Sequence, residues 1–103
     1  MIETGTIFKN TWGATMVLVD FYEVVEVSKT GKTAKVRELA QRPVSSEDSG
    51  GNVKVVPIPG DFRGDAKTRR IQAAPKSGKP YFRADYGTAV LWDGQPATEN
   101  RYD

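Results

Sequence analysis

The 103 residues carry 15 basic and 13 acidic side chains, no cysteine and no histidine, and 38% of them are hydrophobic. That composition suits one globular domain spanning 1–103, and it excludes disulfide frameworks, ordinary zinc sites and Ser–His or Cys–His nucleophile pairs. A net charge of +2 names no electrostatic partner, and no run of about 18 apolar residues is present to span a membrane.

In chain order, "GTIFKNTW" (5–12) reads as a first strand, punctuated by Gly13. "TMVLVDFYEVVEVS" (15–28) is β-rich but does not alternate apolar with polar residues. Val17, Val19 and Phe21 lie on one parity, Tyr22 and Val24 on the other, which predicts a bend or bulge near Asp20. A bent strand of this kind buries one face before its bend and the other after it.

"SKTGKT" supplies a turn with Gly31 free to take positive φ. A four-residue loop then sets Ser28 opposite Thr33, Val27 opposite Ala34, Glu26 opposite Lys35, Val25 opposite Val36, Val24 opposite Arg37 and Tyr22 opposite Leu39. The Glu26–Lys35 pair contributes roughly 0.2–1 kcal/mol. "RPVSSEDSGG" reads as a mobile loop over about 43–52, and "NVKVVPI" (52–58) as an edge strand ending at Pro57. "PGDFRGDAK" is a turn-rich crossing.

"TRRIQAA" and "PYFRADY" flank "PKSGK" and predict a second hairpin, with Ile71 opposite Ala84, Ala73 opposite Phe82, Arg70 opposite Asp85 and Gln72 opposite Arg83. "GTAVLWDGQP" fits a last short strand or a short helix from Thr88 to Trp92, and the helix is preferred because Ala89, Val90, Leu91 and Trp92 do not all suit one strand face. Residues 97–103 form a polar tail. The expected fold is mainly β: a small, strongly bent antiparallel sheet or partly open SH3-like barrel with one short helix near the C-terminus.

Charge is concentrated in residues 61–83, where Arg63, Lys67, Arg69, Arg70, Lys76, Lys79 and Arg83 face only Asp61 and Asp65. The basic hairpin is therefore the candidate binding site, through Lys67, Arg69, Arg70, Lys76, Lys79, Tyr81 and Arg83. Cations with interleaved Tyr81 and Phe82 could hold phosphates and stack a base; they could equally engage an acidic protein surface, or only keep an edge hairpin soluble. Trp12 and Trp92 are core residues or, if exposed together, interface anchors.

Other motifs carry less. "RGD" (63–65) is a chance match in a chain whose first residues do not read as a signal peptide. "TGKT" (30–33) lacks the upstream glycine of a phosphate loop, since Glu26 occupies that place. Glu47, Asp48 and Asp61 show no metal-ligand spacing. No positioned acid/base pair is visible, so the expectation is a non-enzyme with no cofactor and no metal.

"GTIFKNTWG", "VDFYEVVEVSKTGKTAKVREL", "VPIPGDF", "RRIQ" and "LWDGQP", in this order from Gly5 to Pro96, resemble a group of small proteins encoded by bacteriophages and mobile elements. The resemblance implies action in the cytoplasm of a bacterial host, by binding and inhibiting a defence protein, as anti-CRISPR proteins that act on Cas9 do. Its implied partner is a host protein such as a nucleic-acid-handling nuclease, with direct nucleic-acid binding the alternative. The chain departs from the group in its apolar Ala14–Val19 segment and in a C-terminal tail with Tyr102 its only aromatic residue.

Overall fold

The computed structural model describes residues 2–13 and 16–100. Ala14, Thr15 and the last three residues of the expected tail, Tyr102 among them, lie outside the described residues. The described residues form nine strands: β1 (Ile7–Trp12), β2 (Leu18–Val27), β3 (Thr33–Pro43), β4 (Asn52–Phe62), β5 (Lys67–Arg70), β6 (Gln72–Ala73), β7 (Pro80–Arg83), β8 (Thr88–Leu91) and β9 (Ala97–Asn100). They make one antiparallel sheet in the order β6-β7-β8-β1-β2-β3-β4-β9, with β5 paired to β3 beside this path. The sheet is strongly curled but not closed, and no helix among the described residues is long and apolar enough to cross a membrane.

The irregular apolar pattern of β2 follows from two cores on opposite faces of the sheet. Successive side chains of a strand point to opposite faces, so Phe21 and Tyr22 must go to different places. Val19 and Phe21 join Leu39, Val53, Val55 and Ala97 in one core. Val24 joins Phe8, Ala34, Val36, Phe82 and Ala89 in the other, with Tyr22 packed against them. β1 and β3 divide in the same way, Phe8 against Ile7 and Val36 against Leu39. Strands β1–β3 thus serve as a shared wall between two apolar layers.

The expected irregularity exists at a different place. β1 and β2 pair without interruption from Ile7↔Glu23 to Trp12↔Leu18, so nothing breaks at Asp20. The bulge falls between Val24 and Glu26 in the β2–β3 ladder. The turn end of that hairpin agrees with expectation: Ser28 N–H donates to the Thr33 carbonyl at 3.0 Å, and Val27↔Ala34 and Glu26↔Lys35 are paired. Beyond the bulge the register slips by one, to Val24↔Val36, Tyr22↔Glu38 and Phe21↔Leu39. The extra residue, Val25, lets Val24 and Val27 serve the same core. Gly31 takes φ 73° in the turn, as the sequence predicts.

The remaining corrections have a common cause, which is strand pairing over long sequence separation. β4 runs to Phe62 and is no edge strand: β9 covers Asn52–Val55, and Pro57 is tolerated because it lies past the end of β9. The polar segment 97–100 is β9 itself, joined to the start of β2 by hydrogen bonds in both directions between Val17 and Asn100, at 2.9 and 2.8 Å. Residues 88–91 form β8 instead of a helix. Ala89 is buried and Leu91 packs on the same core while Val90 is 45% exposed, so the segment alternates once Trp92 is left out of it.

Candidate binding face

The basic hairpin divides into two parts. Lys67–Arg70 pairs with β3, from Val36↔Lys67 to Thr33↔Arg70, and only Gln72 and Ala73 continue against β7, opposite Tyr81 and Pro80. The predicted pairing, two positions away, is replaced. Asp85 meets Arg69 at 2.9 Å and Lys67 at 3.3 Å, where the sequence suggested Arg70. The Arg69 guanidinium, and then the Lys67 ammonium, hold the Asp85 carboxyl below its ordinary range. Arg70, next in the strand, points to the other side of β5 and is exposed.

Three of the seven predicted residues do come together. The turn before β7 is held by Ala74 N–H donating to the Lys79 carbonyl at 2.9 Å and Gly78 N–H donating to the Ala74 carbonyl at 2.8 Å. It places Lys79 so that Lys79, Tyr81 and Arg83 follow at alternate positions along one side of β7. Phe82 points to the other side and is fully buried, so it is a core residue and not a stacking platform. Lys76 lies in the turn. Among the described residues, Arg70, Lys76, Lys79 and Arg83 have no ion-pair partner.

The neighbouring strands extend this face. Tyr81 is paired with Val90, and Val90 with Lys9, so the three stand in a row across β7, β8 and β1. Arg83 is opposite Thr88 in the adjacent row. Beside them Trp92 is half-buried, its ring edge-on to Phe21 with centroids 5.8 Å apart. Tyr81, Val90 and Trp92, with Pro75, Pro80 and Lys79, line an open groove of about 600 Å³. The aromatic polar atoms are already used: the Tyr81 hydroxyl donates to Gln72 Oε1 at 3.2 Å, and Trp92 Nε1–H donates to the Gln95 carbonyl at 2.7 Å. The groove therefore presents rings and aliphatic carbon, with charge at its rim.

Lys9 and Val90 were not among the residues singled out from sequence, whereas Trp92 was, as a core residue or interface anchor. A strand over 88–91 would have revealed Val90, since alternation with buried Ala89 sends it outward. Nothing local marks Lys9, which joins the face only through the β1–β8 pairing.

A second polar region lies on the core side of the sheet. Asp20 accepts from Trp12 Nε1–H at 2.7 Å, and Trp12 stacks on Tyr86 with centroids 5.1 Å apart. The Tyr86 turn is fixed by buried Asn10, whose Nδ2 donates to the Tyr86 carbonyl at 2.5 Å. Gly87 has φ +93° there, and a Cβ on it would sit 2.7 Å from Asn10 Oδ1, so both backbone shape and space require glycine. Burial raises the carboxyls of Asp20 and Glu38 above their ordinary range, to which the charge of Glu99 adds at Asp20 and the charge of Asp20 adds at Glu38. Burial, assisted by the charges of Asp20, Glu38 and Asp85, pushes the Tyr22 hydroxyl up to about 12. Among the described residues no group of three or more acidic side chains is arranged to hold a metal ion.

No family model matches the chain, nor does any curated protein or solved structure. Functional argument therefore rests on the groove and its rim.

Proposed function

We propose that this is a non-enzymatic accessory protein of a bacteriophage or mobile element, which acts in the host cytoplasm by binding and blocking a bacterial defence protein. The contact surface is the outer face of β7, β8 and β1. The observation that carries this reading is the Tyr81–Val90 pair in an open groove lined also by Lys79, with Arg83 beside it opposite Thr88 and neither cation in an ion pair among the described residues. Protein interfaces concentrate their energy in aromatic and arginine side chains around a desolvated centre. A small rigid sheet presenting such a patch inhibits by occupying a surface its target needs. The phage-type resemblance supplies the setting, with a nucleic-acid-handling nuclease such as Cas9 as the target class.

Capture from bacterial lysate on the tagged protein tests this. A host protein should remain bound after nuclease treatment, and should be lost when Arg83→Glu and Lys79→Glu are combined. Retention by the double variant would remove this face from the reading.

A second reading, direct nucleic-acid binding, is favoured by Lys9, Lys79 and Arg83 lying along one face with Tyr81. It would give gel shifts that collapse with added salt. The burial of Phe82 and the pairing of Asp85 with Lys67 and Arg69 weaken it, because they remove one ring and offset part of the charge of two cations.

A further inference from the structure

The spacing along β7 narrows the chemistry of the partner. Lys79, Tyr81 and Arg83 lie on one side of the chain, two residues apart, so Lys79 and Arg83 are separated by about 13 Å of extended backbone. Tyr81 lies between them and forms with Val90, as a cross-strand pair, the floor of the groove; Leu91 and Trp92 line its Lys79 end, and Arg83 stands beside it, opposite Thr88. The acid on this rim, Asp93, accepts the Gln95 backbone N–H at 2.9 Å. Lys9, beyond Val90 in the same row, adds a further positive charge.

We propose that the groove receives an extended polypeptide segment of the pattern acidic–x–apolar–x–acidic. An extended chain repeats its side-chain direction every second residue, with about 6.6 Å between equivalent positions. Two acids four residues apart therefore match the Lys79–Arg83 spacing, and the apolar side chain midway between them meets the Tyr81–Val90 floor. The polar atoms of both groove aromatics are satisfied internally, so this face offers carbon at Tyr81 and Val90 and positive charge at Lys79 and Arg83 on either side of Tyr81. An apolar peptide side chain needs no hydrogen-bond partner at this floor, whereas a base stacked there would gain no edge contact from either ring, and this favours an acidic peptide over a nucleotide strand. It also disfavours a proline-rich ligand, whose carbonyls seek free tyrosine and tryptophan donors.

This inference rests on the outer face being the binding surface, and its test separates the two claims. The probe is a short fluorescent peptide centred on Glu-Ser-Leu-Ser-Glu, titrated with the full chain and read by polarisation and by Trp92 emission. Saturable binding is expected, weakened about tenfold by Arg83→Glu with Lys79→Glu and by leucine-to-serine replacement in the peptide. Reversal of the peptide acids to lysine should abolish it. Thermal unfolding of the double variant should match the parent, since both changed side chains are exposed. Absence of peptide binding overturns the acidic-segment proposal, while a host protein still captured through Arg83 and Lys79 would leave the inhibitor reading intact. A single-stranded oligonucleotide that binds more tightly than the peptide and competes for the same residues overturns both.

Discussion

The two ends of the sheet that flank the shared wall β1–β3 are finished differently. At one end, β4 and β9 curl over Val19, Phe21 and Leu39, and the strand that completes the cover brings Glu99 into the interior. Its carboxylate accepts Val19 N–H at 2.9 Å and Gln41 Nε2–H at 3.2 Å, so a charge serves to tie β9 to β2 and β3. At the other end, β7 and β8 bury Phe82 and Ala89 in the second core and leave the row on their opposite face, Tyr81, Val90 and Arg83, which continues the Phe21 face through Lys9, without a covering element. The first region uses its polar residue to finish a structure. The second leaves apolar and positive groups on a surface that no part of the described chain uses, and that contrast is the strongest reason to place binding there.

The comparison can be broken most forcefully through the cores. Phe21→Ala and Phe82→Ala should each lose about 3–5 kcal/mol in denaturant unfolding, since both rings are fully buried. Because β1–β3 belong to both layers, each variant should still unfold in one transition; two separated transitions would mean that the halves are independent. Next in size, Glu99→Ala should cost about 1–3 kcal/mol by leaving the buried Val19 N–H without its acceptor. Arg83→Glu, on the open face, should stay within about 0.5 kcal/mol of the parent. Equal losses would erase the distinction between a finished and an unfinished side.

Titration gives a smaller effect of known sign. Asp20 and Glu38 hold their protons longer in the fold than in the unfolded chain. Their contribution is therefore greatest at acid pH and falls as pH rises from the ordinary carboxylate range through the raised values. Asp20→Asn, which keeps an acceptor for Trp12 Nε1–H, should flatten that decline and leave the protein more stable at neutral pH. Denaturant midpoints across the acid range will show it, and an unchanged slope would contradict it. Tyr22 acts in the same direction at alkaline pH: stability should fall between about 10 and 12 as the unfolded chain ionises first.

The smallest expected change is at Asp85. Asp85→Asn frees Lys67 and Arg69, so affinity for an acidic partner should rise about twofold to fivefold, the range of exposed ion pairs. A loss of affinity would mean that the clamp orients the partner-binding surface instead of sequestering charge.

Local chemistry made the β2–β3 turn, the first strand and the loop before β4 legible in the sequence. Gly31, the opposed Glu26 and Lys35, and the Ser/Gly-rich run each act within a few residues. The second apolar face of β2 was legible as well, because only two cores accommodate Phe21 beside Tyr22. The bulge at Val25, the capture of Lys67–Arg70 by β3 and the strand at 97–100 were not. Each depends on a partner far along the chain, and Glu99 in particular reads as a solvated residue until Val19 and Gln41 are brought to it. For the same reason Lys79, Tyr81 and Arg83 could be chosen from composition, whereas Lys9 and Val90 could not.

The most direct test of the open face is a lysine-acetylation footprint of the protein alone and in complex with the host protein that the proposed capture from lysate should yield. Lys76 and Lys79 should be protected in the complex, while Lys54, exposed on β4 in the other region, reacts at an unchanged rate. Protection of Lys54 with Lys76 and Lys79 still reactive would place the partner on the finished side and contradict the account.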